Sequence, residues 1–238
     1  MKPEQFEEGI IQKELHIFYL LDVSGSMDGA PIAALNDAMR DTIFAMTDIR
    51  AEAAIKIAVM TYANEAKWIT CGKNNLENVE DFEWSDVEAG GMTYLGSALD
   101  LLKSGLSRNT MMASATGNKV PIIIFMTDGF PNDDWESALN EIRQNKWFST
   151  AIKIGIALGD DADLKVLADV VGDKEAVIRA NNLALFKSML RVVSVVSGLS
   201  GSTSQTVTTQ VTGAEIVQAA KEEIKSDPSF DPEADELE

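Results

Sequence analysis

The stretch LHIFYLLDVSGSM, residues 15–27, joins a continuous apolar run to a short polar turn that begins at Asp22. Residues 15–21 do not alternate between apolar and polar side chains, which is typical of a strand buried on both faces of a parallel sheet. Ser24 and Ser26 follow Asp22 at spacings of two residues. Because ligands of open α/β sheets bind beyond the carboxyl ends of the strands, this turn is a candidate functional segment.

Apolar runs and helical periodicities alternate along the rest of the chain. The apolar runs predict further strands at residues 55–63, 67–70, 120–126 and 151–158. Apolar residues at intervals of three and four predict a helix that starts near Pro31 and further helices at residues 95–106, 135–142, 162–171 and 183–196. Strands that alternate with helices are typical of a parallel sheet. We therefore predict an α/β fold with a mainly parallel central sheet and helices on both faces.

Two later segments supply oxygen atoms that complement the turn after residue 21. One is the Gly-Gly-Met-Thr sequence of residues 90–93, and the other is the Thr-Asp-Gly sequence of residues 127–129, which follows an apolar run. Two carboxylates and three hydroxyls form an all-oxygen set that suits a hard divalent cation, and so few carboxylates favour Mg²⁺, with Mn²⁺ as an alternative, over Ca²⁺. The candidate metal ligands are Asp22, Ser24, Ser26, Thr93 and Asp128. The alternative interpretation is structural: the serines cap the next helix and the second aspartate opens a turn.

These five residues, in this order, resemble the metal-ion-dependent adhesion site (MIDAS) of the von Willebrand factor type A (vWA) family. That site is a D-x-S-x-S motif followed by a distant Thr and a distant Asp. The resemblance covers roughly residues 15–199 and implies a Rossmann-like vWA fold. It also implies that the hydroxyls of Ser24, Ser26 and Thr93 contact the metal and that one or both of Asp22 and Asp128 act partly through water. A partner protein would supply an Asp or Glu carboxylate.

The segment MTDGFPNDDW, residues 126–135, resembles the bacterial tellurium-resistance-associated (TerY-type) branch of the family. This resemblance implies a stress-response complex with Ter-type proteins, or with kinase or phosphatase partners. We therefore expect a protein–protein interaction module rather than an enzyme.

Two other functions remain open as alternatives. A metal-dependent phosphohydrolase of the haloacid-dehalogenase type also places an Asp after its first strand, but it needs a second Asp two residues later, where this chain has Ser24. An accessory subunit of an ATPase complex, similar to the chelatase-associated relatives of the fold, would dock on a separate ATPase. The sequence has no G-x-S-x-G motif of a serine hydrolase and no phosphate-binding loop of an NTPase.

Composition restricts the partners and the compartment. The net charge of the 238-residue chain is −18, which argues against nucleic acid and anionic membranes as partners because phosphate binding needs a positive surface. The first residues do not have the pattern of a signal peptide, and no apolar run approaches the roughly 20 residues of a membrane span. The single cysteine, Cys71, cannot form an internal disulfide. These features predict a cytoplasmic protein.

Composition also divides the chain into segments. We assign residues 1–199 to the vWA domain and residues 200–212, which are rich in Ser and Thr, to a linker. Weak periodicity predicts a short helix at residues 213–226. Residues 227–238 contain six acidic residues and no basic residue, and this composition predicts a disordered acidic tail.

Overall fold

The computed structural model of the protein describes residues 13–114, 117–159, 161–202, 211–227 and 230. These residues form a seven-stranded sheet with helices packed on both of its faces, so the predicted α/β fold is confirmed. The strands are β1 (Glu14–Asp22), β2 (Ala54–Tyr62), β3 (Ala66–Trp68), β4 (Glu77–Asn78), β5 (Ile122–Thr127), β6 (Ile152–Leu158) and β7 (Val177–Ala180). The helices are α1 (Ala30–Thr47), α2 (Leu95–Gly105), α3 (Trp135–Ile142), α4 (Lys146–Thr150), α5 (Leu164–Val171), α6 (Leu183–Ser202) and α7 (Gly213–Ser226).

The order of the strands places β1 in the middle of the sheet. The order is β3-β2-β1-β5-β6-β7, and β4 pairs with β2. The long strands run parallel to one another, whereas β3 and β4 pair with β2 in the antiparallel direction. The chain moves outward in one direction from β1 and in the other direction from β5. The gap between the carboxyl ends of these two strands is therefore the topological switch point, where ligands of such sheets bind.

Both faces of β1 are buried, which explains its nearly uninterrupted apolar run. Leu15, Ile17, Tyr19 and Leu21 belong to a core that the sheet forms with α1, α6 and α7. Phe18 and Leu20 belong to a second core, which the sheet forms with α2, α3 and α5. Since successive residues of a strand point to opposite faces, a strand between two cores is apolar at nearly every position. The exception is the buried His16, whose ring contacts the Glu14 carboxylate.

Helix α6 extends further than the sequence predicted. The prediction placed a linker from residue 200, but residues 200–202 are helical. A Cβ atom added to Gly201 would lie 2.8 Å from Cδ1 of Ile122, and one added to Gly198 would lie 2.6 Å from Cδ1 of Ile49. The small residues therefore allow the end of the helix to pack closely, although their composition resembles that of a linker.

Helix α7 confirms the predicted helix at residues 213–226 and packs into the first core. Its start is fixed by a capping box, in which Thr212 and Glu215 satisfy each other's backbone N–H groups. Its buried side chains are Ile216, Val217, Ala220 and Ile224. The helix is thus part of the same body as the sheet. Residues 203–210 of the predicted linker, and residues 228–229 and 231–238 of the predicted tail, lie outside the described residues.

Within the described residues, α6 is long and apolar enough to span a membrane by length and composition, which the sequence analysis did not anticipate. Half of its most apolar window is buried inside the protein. Phe186, Met189 and Leu190 are fully buried in the core shared with α1 and the sheet. The apolar character of the helix is accounted for by this packing.

Candidate metal centre

Asp22 lies at the carboxyl end of β1 and its side chain is completely buried. One carboxylate oxygen, Oδ1, accepts a hydrogen bond of 2.8 Å from the backbone N–H of Ser24. The other, Oδ2, accepts a bond of 2.6 Å from the hydroxyl of Thr127. The register of the sheet explains the second contact, because Leu21 pairs with Met126 and the next residue of each strand comes alongside. Asp22 is therefore held in one orientation from two sides.

A chain of hydroxyl contacts connects the turn after β1 to Asp128. The hydroxyl oxygens of Ser24 and Ser26 lie 3.1 Å apart, and Ser26 Oγ donates a hydrogen bond of 2.8 Å to Asp128 Oδ1. Ser24 is buried, Ser26 is exposed and Asp128 is partly exposed. The cluster thus runs from the interior to the surface and faces solvent at Ser26 and Asp128.

The loop that carries Thr93 lies directly against this turn. Gly25 N–H donates to the carbonyl oxygen of Gly91 over 2.9 Å, and Gly90 N–H donates to that of Val23 over 2.8 Å. A Cβ atom on Gly25 would lie 3.2 Å from the Gly91 oxygen, and Gly91 itself has a φ of +86°. The conformation at Gly91 therefore requires glycine, and at Gly25 any larger residue would push the two loops slightly apart. Thr93 is buried and lines a small cavity together with Thr127 and Gly129.

The structure thus brings the predicted residues together in two ways. Direct hydrogen bonds link Asp22, Ser24, Ser26 and Asp128 in one cluster. Thr93 lies beside this cluster because its loop is hydrogen-bonded to the turn after β1. Its ligand role, like that of the other four residues, stays a prediction.

Two residues that the sequence analysis did not assign to the site fasten its loops. Asn132 and Thr93 exchange two hydrogen bonds: Thr93 N–H donates to Asn132 Oδ1 over 2.9 Å, and Asn132 N–H donates to the Thr93 carbonyl over 2.8 Å. The carboxylate of Asp133 accepts bonds of 3.1 Å from the N–H groups of Gly96 and Ser97, at the start of α2. The loop after β5 is therefore fixed to the Thr93 loop.

Among the described residues, the carboxylates of Asp22 and Asp128 have no cationic side chain that balances their negative charge. Burial raises the pKa of Asp22, although hydrogen bonds from Thr127 and Ser24 oppose the shift. Burial also raises the pKa of Asp128, opposed by the bond from Ser26, and the negative charge of Asp161 raises it further. Among the described residues, neither carboxylate forms an ion pair with Lys, Arg or His.

A divalent cation fits this donor set. It would neutralise two carboxylates that otherwise disfavour each other's charge, and the hydroxyls would add neutral oxygen ligands. Across the part of the chain that the structure describes, no group of three or more His, Cys, Asp or Glu side chains is arranged to hold a metal ion. Any metal at this edge of the sheet would therefore depend on hydroxyl ligands.

The chain belongs to the von Willebrand factor type A domain family, whose model matches residues 16–192. Among curated proteins, none matches the sequence at a significant level.

Solved structures share the fold at low sequence identity. Proximal thread matrix protein 1 from the mussel byssus has a TM-score of 0.61 and 17% identity over 77% of this chain and 48% of its own. A second structure of that protein has a zinc-occupied MIDAS motif, with a TM-score of 0.59 and 17% identity over 77% of this chain and 48% of its own. A von Willebrand factor type A protein from Catenulispora acidiphila has a TM-score of 0.58 and 17% identity over 78% of this chain and 43% of its own. This chain spans less than half the length of these proteins.

Proposed function

We propose that this vWA domain is a metal-dependent protein-binding module. In this proposal Asp22, Ser24, Ser26, Thr93 and Asp128 hold a divalent cation, Mg²⁺ or alternatively Mn²⁺. Bound there, the cation supplies positive charge and a coordination position for an Asp or Glu carboxylate of a partner protein. The observation that carries the proposal is the pair of carboxylates without a cationic partner among the described residues, held with two serine hydroxyls at the switch point of the sheet.

The gradient of burial across the cluster supports a binding role. Asp22 and Ser24 are buried and fixed by hydrogen bonds, so they form a rigid floor. Ser26 and Asp128 lie at the surface, so they form the side that a partner can reach. The zinc-occupied MIDAS motif of a structural neighbour shows that the fold holds a divalent cation in that protein.

We also propose the setting of this interaction. The module acts in the cytoplasm, without catalysis, in a stress-response complex of the tellurite-resistance type that includes Ter-type proteins or a kinase or phosphatase. The resemblance of residues 126–135 to the TerY-type branch supports this setting. The net charge of −18 favours a partner that is basic around its one ligating acid.

The test is capture of partners from native lysate by the tagged protein. We would compare the wild type in Mg²⁺, the wild type in EDTA, Ser26→Ala in Mg²⁺ and Ser104→Ala in Mg²⁺. Ser104 is an exposed serine of α2 whose hydroxyl donates to the Leu101 carbonyl, and it serves as the matched control. We expect the same proteins with the wild type and Ser104→Ala in Mg²⁺, and their loss in the other two samples. Recovery of the same proteins in all four samples would contradict the proposal.

A further inference from the structure

Two large apolar side chains border the candidate metal centre and are exposed to solvent. In the described part of the chain, four large hydrophobic residues are strongly exposed: Phe44, Met92, Phe130 and Leu199. Two of the four lie on the loops that carry predicted metal ligands. Met92 is 48% exposed and precedes Thr93, and Phe130 is 60% exposed and lies two residues after Asp128.

The backbone around these two residues is fixed, so their exposure is built into the loops. Met92 N–H donates a hydrogen bond of 2.8 Å to Asn64 Oδ1. Phe130 follows Gly129, whose α-carbon lies against Ser26: a Cβ atom there would be 3.6 Å from Ser26 Oγ. The paired hydrogen bonds between Thr93 and Asn132 hold the two loops side by side. Apolar side chains held in solvent next to a ligand site mark an interaction surface.

We propose that Met92 and Phe130 form an apolar rim that recognises the residues next to the ligating carboxylate of the partner. This inference rests on the proposed function. The occupant is a protein segment with one Asp or Glu flanked by apolar side chains: the carboxylate reaches the cation beside Ser26 and Asp128, and the neighbouring side chains cover the rim. Charge limits this segment to a single acidic residue, because a segment with several acidic residues would be repelled by a body with a net charge of −18.

The test uses capped pentapeptides titrated into ¹⁵N-labelled protein in Mg²⁺, with NMR chemical shifts as the readout. One peptide has glutamate between leucines, the second has glutamate between serines, and two more replace glutamate by glutamine. We expect the leucine-flanked glutamate peptide to bind roughly tenfold tighter than the serine-flanked one, since covering the exposed part of one or two such side chains has about this effect. In the double variant Met92→Ser/Phe130→Ser, the leucine-flanked and serine-flanked glutamate peptides should bind with equal affinity.

The control variant is Phe44→Ser. Phe44 is 72% exposed and lies on α1, about 20 Å along the helix from its start beside the site. The Phe44→Ser variant should still bind the leucine-flanked glutamate peptide more tightly than the serine-flanked one. The double variant should bind Mg²⁺ as the wild type does. Equal binding of the two glutamate peptides, both tighter than the glutamine peptides, would overturn the rim and leave the proposed function standing. Binding of glutamate peptides no tighter than glutamine peptides in Mg²⁺ would overturn the proposed function and the rim with it.

Discussion

The contact between Thr127 and Asp22 gives a quantitative prediction about the floor of the site. Thr127 is 7% exposed, and its hydroxyl donates a bond of 2.6 Å to a completely buried carboxylate. The substitution Thr127→Val keeps the shape of the side chain but removes this donor. A buried charged acceptor that loses its partner costs about 1.5–3 kcal/mol, so we expect the free energy of unfolding to fall by about 2 kcal/mol.

The matched control is Thr127→Ser, which keeps the hydroxyl and loses one buried methyl group. Loss of a buried methyl group costs about 1 kcal/mol, so this variant should lie between the wild type and Thr127→Val. For a chain of 238 residues, 2 kcal/mol corresponds to a decrease in Tm of roughly 4–8 °C.

The assay is urea denaturation followed by circular dichroism, in EDTA so that bound cations do not alter the result. Thr127→Val also removes the acceptor of a longer hydrogen bond of 3.2 Å from the backbone N–H of Gly129, whereas Thr127→Ser keeps the hydroxyl for both bonds. If Thr127→Val were as stable as the wild type, or more stable than Thr127→Ser, the bond would not fix the carboxylate as described.

Three further perturbations test other parts of the account. Gly91→Ala should lower the free energy of unfolding by about 1–2 kcal/mol in the same urea assay, because φ is +86° and the new Cβ would lie 2.7 Å from Cγ of Asn64. The control is Gly90→Ala, which has open space around it and should change the free energy of unfolding by less than about 0.5 kcal/mol. Burial lowers the pKa of His16 below its ordinary value of 6.5, although Glu14 opposes the shift. Below pH 6.5 the unfolded chain therefore binds a proton more readily than the folded chain, and the free energy of unfolding should fall as the pH drops. His16→Gln should remove this part of the pH dependence in denaturation curves between about pH 7 and 5.5; an unchanged curve would contradict the assignment. Finally, partner affinity should weaken as salt is raised from low to moderate concentration, and an affinity independent of salt would remove the argument for a basic partner.

The sequence predicted the central sheet and the site positions because both depend on local patterns. Residues 15–21 are apolar except for His16, and the ends of such runs mark where side chains such as Asp22 and Asp128 emerge. Since carboxyl ends of parallel strands share one edge, the meeting of distant segments followed from the strand assignments alone.

The contacts that hold the site together could not be predicted in this way. Thr127 contacts Asp22 because of the register between β1 and β5, which is a property of the folded sheet. Asp133 lies two residues before α3, yet it accepts hydrogen bonds from the start of α2, while Asp134 caps α3. In each case the partner is distant in sequence, so spacing and composition carry no information about it.

The end of α6 and the rim illustrate the same limit for small and apolar residues. Gly201 lies in a stretch of small residues that is typical of a linker, but the side chains of Ile122 and Leu15 occupy the space next to its α-carbon. Met92 and Phe130 resemble ordinary loop residues in sequence, and their exposure beside the site is visible only in three dimensions.

The metal centre can be tested by isothermal titration of Mg²⁺, and separately of Mn²⁺, into the wild type, Ser26→Ala and Ser104→Ala. The proposed site predicts one cation per chain for the wild type and for Ser104→Ala. For Ser26→Ala it predicts an affinity lower by roughly tenfold or more, because the substitution removes a ligand oxygen that also bonds to Asp128. Wild-type protein that binds neither cation, or equal affinities in all three proteins, would contradict the metal centre.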